Sequence, residues 1–392
     1  MFLSLRLIAF WSCFICIFIR VTKLKNLLVI AFILSAYNLV LAGCSFENRA
    51  ITSAPYHHIE DGYRNPPDSP ERESSIFTRL SFFSKMVLGL TDGMGDIIPQ
   101  EHVQISSKAL KDFKAYGEDD AITWIGHASF LVRLDGIVVL TDPIFSKRAS
   151  PVRWAGPERL FPPGLQIEDL PDIDILVISH AHYDHLDTHT LDRLPNRETI
   201  TALVPLGLGK YFVERNFGKV IEMDWYDEFE LPSNTGRFRL TAYPAVHWSS
   251  RSLFDMNETL WMSFGFSAGG YSVFHSGDTE THPYVFKEIG EHMAKRHGGC
   301  DVGLMSIGAY APRKMMKGSH MTPEGGVQLG REIGCRKLVP MHWGTFTLSL
   351  EPAEEPYARF KGAAGLATLR MKIGETLGVD ALSMSQENTG LK

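Results

Sequence analysis

Residues 174–187 read DILVISHAHYDHLD, an apolar run that passes directly into a loop rich in histidine and aspartate. The run has the length and β-branched content of a buried strand, and strand ends in layered α/β folds are where functional loops gather. A regular strand alternates its side chains between two faces, so it could not bring both Asp184 and His185 to the same place. A tight loop just past the strand can bring these two together with His180 and His182.

This concentration of side chains predicts a metal site. Imidazole and carboxylate are ligands that suit zinc, and two ligand sets could hold two ions. The ordinary alternative is a polar surface turn that happens to contain histidine. Three histidines and two aspartates within residues 180–187, directly after an apolar run, argue against that alternative.

A local motif cannot complete two coordination shells, so further ligands must come from elsewhere in the chain. His247 follows TAYPAV, Asp278 follows YSVFHSG and His342 follows KLVPM. Each of them alone could be a hydrogen-bonded loop residue. Because all three follow apolar strands that could lie in one sandwich, we expect them to join the same site.

From residue 121 onward, strand patterns alternate with a few helical ones. Residues 122–143 predict three short strands, interrupted at Gly126-His127 and at the Asp135-Gly136 turn. Further strands are predicted at 174–179, 201–205, 219–223, 237–243, 259–266, 271–275, 302–306 and 337–341. Helices are predicted at 188–194, 206–216, 283–295 and 323–333. Antiparallel strand runs interleaved with helices indicate an α/β sandwich whose sheets pack inside.

The N-terminal residues predict export. Residues 1–43 hold two apolar runs, and the second follows Lys23 and Lys25 and ends at Leu41-Ala42-Gly43-Cys44. A basic start, an apolar stretch and small residues before a cut site are typical of a secretory signal. The ending resembles the bacterial lipobox, which predicts a lipid anchor on Cys44; an uncleaved membrane anchor is the alternative. Ser45 favours the outer membrane, with the protein facing the periplasm of the cell envelope.

The remaining chain divides by composition. Residues 44–75 are polar and contain four prolines, and we expect a tether there. Residues 76–118 predict an N-terminal extension that is helical around 76–90 and 106–116. The main domain is expected at 119–385. Its two cysteines, Cys300 and Cys335, are too few to decide the redox state.

The charge of the chain disfavours one class of partner. Of the 39 basic residues, four lie in residues 1–43, which hold none of the 45 acidic ones, so the rest of the chain carries a formal charge of −10. A phosphate-backbone binder needs a basic face, and we therefore expect no nucleic-acid partner.

The order HxHxDH, then His, Asp and His, resembles that of the metallo-β-lactamase superfamily of binuclear metal hydrolases. The match is closer still to the family of N-acylphosphatidylethanolamine-hydrolysing phospholipases D, and it extends over roughly 120–380. The matching stretches are Trp124 to Phe130, TDPIFSKRASP at 141–151, SHAHYDHLD at 179–187, VPLGL at 204–208, DWYDE at 224–228, HSGDT at 275–279, IGAYAPR at 307–313 and HWGTF at 342–346.

The resemblance implies an αββα sandwich with a binuclear metal site at the sheet edge, holding two Zn²⁺ or other divalent transition-metal ions. The first ion would take His180, His182 and His247. The second would take Asp184, His185 and His342, with Asp278 bridging both. His320 matches a family histidine that reaches the active site without being a primary ligand, so His320 and Asp184 are the expected catalytic residues. Asp142 is expected either to support a ligand histidine or to cap a strand.

The same resemblance implies a phosphodiester hydrolase acting on a membrane phospholipid. A hydroxide held between the ions would attack phosphorus and release N-acylethanolamine and phosphatidic acid. The H-x-K-x4-D motif of ordinary phospholipase D is absent. Two alternatives stay open: a lactonase or phosphodiesterase of the same fold acting on a small soluble phosphorylated substrate, and a non-enzymatic envelope lipoprotein. The set of candidate ligands argues against the second, because a scaffold has no need for buried unpaired carboxylates and histidines.

Overall fold

The computed structural model describes residues 55–71, 73, 78, 81–82, 100–252 and 254–379. The predicted signal segment, Cys44 and most of the predicted helix at 76–90 lie outside these residues. Among the helices that are described, none is both long and apolar enough to cross a bilayer.

A seven-stranded sheet forms one half of the domain. Its strands are β3 Ala121–Gly126, β4 Ser129–Leu134, β5 Ile137–Thr141, β6 Ile175–Val177, β7 Thr201–Pro205, β8 Lys219–Met223 and β15 Thr376–Gly378. They lie in the order β15-β3-β4-β5-β6-β7-β8. Strands β3 to β5 form an antiparallel meander and β6 to β8 continue it in parallel, while β15 pairs antiparallel with β3 at the far edge. The three strands expected in 122–143 are therefore confirmed.

A six-stranded sheet forms the other half, in the order β14-β13-β12-β11-β10-β9. Its strands are β9 Glu228–Pro232, β10 Arg237–Tyr243, β11 Ser263–Ala268, β12 Tyr271–His275, β13 Cys300–Ser306 and β14 Cys335–Met341. The first four are antiparallel, and β12, β13 and β14 are parallel. A disulfide between Cys300 and Cys335 joins β13 to β14 where the two strands begin.

Helices cover the outer faces of both sheets. They are α1 Ser106–Ala115, α2 Thr188–Arg193, α3 Lys210–Val213, α4 Val285–His297, α5 Arg313–Met316, α6 Pro323–Ile333 and α7 Glu355–Ala364. Helix α6 starts where predicted because Thr322 caps it, accepting a hydrogen bond from the Gly325 N–H, and Pro323 fits its first turn. It ends at Gly334, whose φ of +82° suits a residue without a Cβ.

The described part of the chain has two large core clusters and a small third one. Between the sheets, Phe130 and Val132 pack with residues such as Phe264 of the second sheet. On the other face of the first sheet, Leu131 joins a second cluster that includes Leu191 of α2. The meander strands are buried along their whole length, which is what a sheet covered on both sides requires. The predicted αββα sandwich is confirmed.

Part of the expected tether is folded. Residues 55–71 include a two-stranded hairpin, β1 His58–Ile59 with β2 Gly62–Tyr63, and the backbone N–H of Tyr63 donates to the carbonyl of Asn257 at 2.9 Å. The side chains of His57 and His58 contact the Asp224 carboxylate, at 2.6 and 2.8 Å. This stretch lies against the domain because it has polar partners there, which its local composition does not reveal.

Candidate metal centre

The five chain positions that build the site all lie just past a strand. His127 follows β3, the HxHxDH loop follows β6, His247 follows β10, Asp278 follows β12 and His342 follows β14. Carboxyl ends of neighbouring parallel strands meet at one edge of a sheet, and here the two sheets bring their edges together. The fold therefore gathers residues that are up to 215 positions apart in the printed sequence.

The HxHxDH loop is a tight turn that leads into α2. The backbone N–H groups of His185 and Leu186 both donate to the His182 carbonyl, at 3.1 and 2.8 Å. Asp187 caps α2 by accepting hydrogen bonds from the His189 N–H and the Thr190 hydroxyl, at 3.1 and 2.5 Å. Turn and cap together bring the four predicted side chains of this loop close to one another, namely His180, His182, Asp184 and His185.

The first ligand group consists of three imidazoles. His182 Nδ1 lies 2.8 Å from His180 Nε2 and 3.1 Å from His247 Nε2. Ring nitrogens this close, facing one another inside a protein, repel unless protons or a cation lie between them. The three rings form one of the groups whose ligand atoms can hold a metal ion.

The second ligand group mixes imidazole with carboxylate. Asp184 Oδ2 lies 3.2 Å from His342 Nε2 and 3.4 Å from His185 Nε2. The structure adds a fourth residue, His127, whose Nε2 lies 2.9 Å from the same carboxylate oxygen. His127 was absent from the predicted ligands, although its position directly after a strand was a signal shared with His247 and His342.

Asp278 faces both groups. Its Oδ2 atom lies 3.2 Å from His185 Nε2 and 3.1 Å from His342 Nε2, and 3.9 Å from His180 Nε2 in the first group. Its other oxygen accepts a hydrogen bond from the Ser306 hydroxyl at 3.1 Å. The structure thus places this carboxylate beside both ligand groups; that it bridges two ions stays a prediction.

Hydrogen bonds on the outer side of three rings direct their Nε2 lone pairs inward. His185 donates from Nδ1 to Asp142 at 2.7 Å, and His247 donates from Nδ1 to the Ser319 carbonyl at 2.8 Å. His180 Nδ1 lies 2.9 Å from the Ser179 hydroxyl, which itself donates to Asp142 at 2.6 Å. A histidine with its Nδ1 proton held in this way presents an unprotonated Nε2 to a metal. Both roles considered for Asp142 occur together: it accepts a hydrogen bond from the His185 ring, and its other oxygen accepts one from the Ser179 N–H just past β6, at 2.6 Å.

Burial and charge set the protonation of the groups differently. Burial lowers the pKa of His180 and of His247 well below the usual value, and neighbouring histidines lower both further. Burial alone would also lower the pKa of His342, but the Asp278 and Asp184 carboxylates outweigh it and raise this pKa to about 9. The same carboxylates hold the pKa of His185 well above its usual value.

His320 reaches the centre from the loop before α6. Its Nδ1 is buried, has no hydrogen-bond partner among the described residues and lies 3.8 Å from Asp278 Oδ2. Burial lowers the pKa of His320 to about 3, so the ring is neutral at pH 7. It also belongs to a group with His247 and Asp278 that can hold an ion, so geometry alone allows both the predicted catalytic role and a ligand role.

The residues fit metal ions as a set. His185 Nε2 is buried without a hydrogen-bond partner in the part of the chain that the structure describes, although two carboxylates lie beside it. Imidazole nitrogens and carboxylate oxygens that converge at 2.8–3.9 Å from one another form the donor set that zinc-class ions take. Fold and ligand set together define a metal-dependent hydrolase of the metallo-β-lactamase superfamily.

Comparison with known families agrees with this class. A family model described as "Beta-lactamase superfamily domain" matches residues 138–343, which is more than half of the chain. The chain therefore belongs to the beta-lactamase superfamily domain family.

Curated relatives are similar over the same part of the chain. An N-acyl-phosphatidylethanolamine-hydrolyzing phospholipase D of Caenorhabditis elegans is 36% identical over 244 residues, covering 59% of this chain and 67% of the relative. A mitochondrial protein of the same description from Saccharomyces cerevisiae is 34% identical over 238 residues, covering 59% and 50%. A metal-dependent hydrolase of Anaeromyxobacter is 30% identical over 256 residues, covering 63% and 83%. The match thus spans half to two thirds of the two phospholipases.

Solved structures are similar in fold. An isothiocyanate hydrolase from Delia radicum gut bacteria superposes with a TM-score of 0.50 at 15% identity, covering 66% of this chain and 98% of that one. A possible metal-dependent hydrolase from Veillonella parvula gives a TM-score of 0.50 at 16% identity, covering 66% and 99%. At such low identity the likeness concerns the fold alone.

Proposed function

We propose that this protein is a zinc-dependent phosphodiesterase that hydrolyses N-acylated ethanolamine phospholipids to N-acylethanolamine and phosphatidic acid. The observation that carries the proposal is the position of Asp278 between an all-histidine group and a mixed group, in a chain 36% identical to a phospholipase of that description. Two zinc ions are the proposed cofactors, and a membrane phospholipid is the proposed substrate.

We assign each residue of the centre a role in this reaction. His180, His182 and His247 would hold one ion, and Asp184, His185 and His342 the other. When bound, two divalent ions supply positive charge that stabilises the phosphoryl oxygens and lowers the pKa of the attacking water. Asp278 would fix the distance between the two groups, and His320, neutral and aimed into the centre, would hold a proton close to the reacting atoms.

The test is product analysis in H₂¹⁸O. Purified, zinc-loaded protein is incubated with detergent-dispersed diacyl N-acylphosphatidylethanolamine, and products are identified by mass spectrometry. We expect equal amounts of N-acylethanolamine and phosphatidic acid, with ¹⁸O in the phosphate, because water attacks phosphorus. Asp278→Asn, loaded in the same way, is the inactive control.

A second candidate function is hydrolysis of a small soluble substrate. The similarity to the Anaeromyxobacter metal-dependent hydrolase extends over 83% of that relative, whose description names a hydrolase and no lipid. Protein that carries two ions and cleaves soluble phosphodiesters or phosphorylated lactones, but leaves the phospholipid intact, would replace the lipid proposal with this one. The lipid anchor on Cys44 stays a prediction; mass spectrometry of membrane-extracted protein tests it.

A further inference from the structure

Asn65 pairs with the backbone of a ligand histidine. The His247 N–H donates to Asn65 Oδ1 at 2.9 Å, and Asn65 Nδ2 donates to the His247 carbonyl at 2.9 Å. One side-chain amide thus hydrogen-bonds to both the backbone N–H and the backbone carbonyl of His247, which lies beyond the end of β10. Among the described strands, none pairs with His247 to supply those bonds. Asn65 lies 182 residues upstream in sequence and outside the family match at 138–343.

The orientation of the amide follows from its partners. Trp261 Nε1 donates to Asn65 Oδ1 at 3.0 Å, and an indole N–H can only donate. The His247 N–H, also a pure donor, faces the same atom, which must therefore be the oxygen. The remaining nitrogen then faces the His247 carbonyl, a pure acceptor. All three contacts are satisfied in one orientation and none in the flipped one.

The segment around Asn65 is attached on both sides. Upstream, the rings of His57 and His58 contact the Asp224 carboxylate and attach the hairpin to the domain. Downstream, the Pro67 carbonyl lies 2.8 Å from His282 Nε2 and accepts a hydrogen bond from the Tyr284 hydroxyl at 3.0 Å. An amide held between two such attachments loses little freedom when it pairs, so the pairing is pre-organised.

We infer that Asn65 is a positioning residue for the first ligand group. It fixes the backbone of His247, while the Ser319 carbonyl fixes the ring, and Nε2 is left facing His182 Nδ1 at 3.1 Å. Residues 55–71 are therefore part of the metal centre, although they precede the superfamily domain. The inference concerns binding of the first ion and is independent of the lipid substrate.

The test measures metal affinity in full-length protein, without substrate. Cobalt and zinc are titrated against a chelator into wild type, Asn65→Ala and Asn65→Asp. The aspartate variant keeps the shape and the acceptor, but it places a second oxygen against the His247 carbonyl. Loss of an outer-lying partner of a metal ligand weakens binding about 10- to 100-fold. We expect this loss of affinity for the first ion, together with a changed absorption spectrum of cobalt bound there. The affinity for the second ion should not change.

The matched control is Ser69→Ala in the same segment, since within the described residues the Ser69 hydroxyl bonds locally, donating to the Pro66 carbonyl at 2.6 Å. It should alter neither ion. Wild-type affinity for both ions in both Asn65 variants would overturn the inference, and so would an equal loss at the two ions that follows a lowered Tm of the metal-free protein. A wild-type chain that binds no divalent ion would overturn the metal centre as well.

Discussion

The two ligand groups of the centre differ in charge and in how the rings are held. In the first group three imidazoles meet without a carboxylate among them, and burial keeps His180 and His247 unprotonated. In the second, Asp184 and Asp278 hold protons on His185 and His342. An ion entering the first group finds free lone pairs, whereas an ion entering the second must displace protons. We therefore expect ion binding to depend on pH at the second group and to depend little on pH at the first.

The largest expected effect comes from the residue that the two groups share. Asp278→Asn keeps the shape but removes the charge that faces both groups, so both ions should bind more weakly. Metal ions contribute several kcal/mol to transition-state stabilisation, and each 1.36 kcal/mol is tenfold in rate, so activity should fall by about 10³-fold or more. Elemental analysis and kcat measure the two effects, and the exposed Asp172→Asn serves as control. Full retention of both ions in the Asp278→Asn variant would contradict a bridging role for Asp278.

Substitution of His320 tests whether this histidine, which lies close to both ligand groups, is itself a metal ligand. We expect His320→Ala to keep both ions and to slow turnover by roughly 10²- to 10⁴-fold, the range for a residue that moves a proton. Metal content and kcat are measured on the same preparation. His292→Gln is the control, since His292 lies on α4, contacts the Tyr243 hydroxyl and belongs to none of the ligand groups. Loss of an ion from the His320 variant would instead make this residue a ligand.

Asp142 contacts the two ligand groups differently, one directly and the other through a second side chain. It accepts a hydrogen bond from the ring of His185 in the second group, but reaches His180 in the first only through the Ser179 hydroxyl. Asp142→Asn should therefore weaken the second ion by about 10- to 100-fold and the first ion less. Chelator competition resolves the two affinities. Equal weakening of both would mean that the Ser179 link is as strong as the direct bond.

The smallest effect is the pH dependence of ion binding to wild-type protein. In the metal-free protein the pKa of His342 is raised to about 9, so below pH 9 an ion must displace its proton. Affinity at the second group should rise between pH 6.5 and 9, by at most about tenfold per pH unit for each displaced proton. Affinity at the first group should stay nearly constant there. Parallel pH profiles for the two ions would contradict the comparison.

The local parts of the fold were predictable from sequence. Strands β7, β8, β10 and β12 begin and end at the predicted residues, because each is an apolar or β-branched run between turn residues. Strand β15 was missed because it has three residues and gains its partner, β3, from the other end of the domain. Strand β9 was missed because its half-exposed sequence, EFELP, shows little apolar pattern.

The site was predictable where a ligand follows a strand. That rule found His247, Asp278 and His342, and applied to Gly126-His127 it would also have found His127. Asn65 could not be found this way, because an amide that pairs with a backbone 182 residues away leaves no local pattern. The tether predicted over 44–75 had the same weakness, since the attachment of residues 55–71 depends on distant partners such as Asp224.

The disulfide between Cys300 and Cys335 has a consequence for how the protein is made. Bonds of this kind persist in oxidising compartments and are rare where glutathione and thioredoxin keep thiols reduced. Protein produced in a reducing cytoplasm would carry two adjacent free thiols at the start of β13 and β14, while Ser306 and His342 lie at the far ends of those strands. Beyond the thiols of the three other cysteines in the chain, titration of such a preparation should detect two that belong to Cys300 and Cys335 and disappear on air oxidation, with the metal ligands already in place.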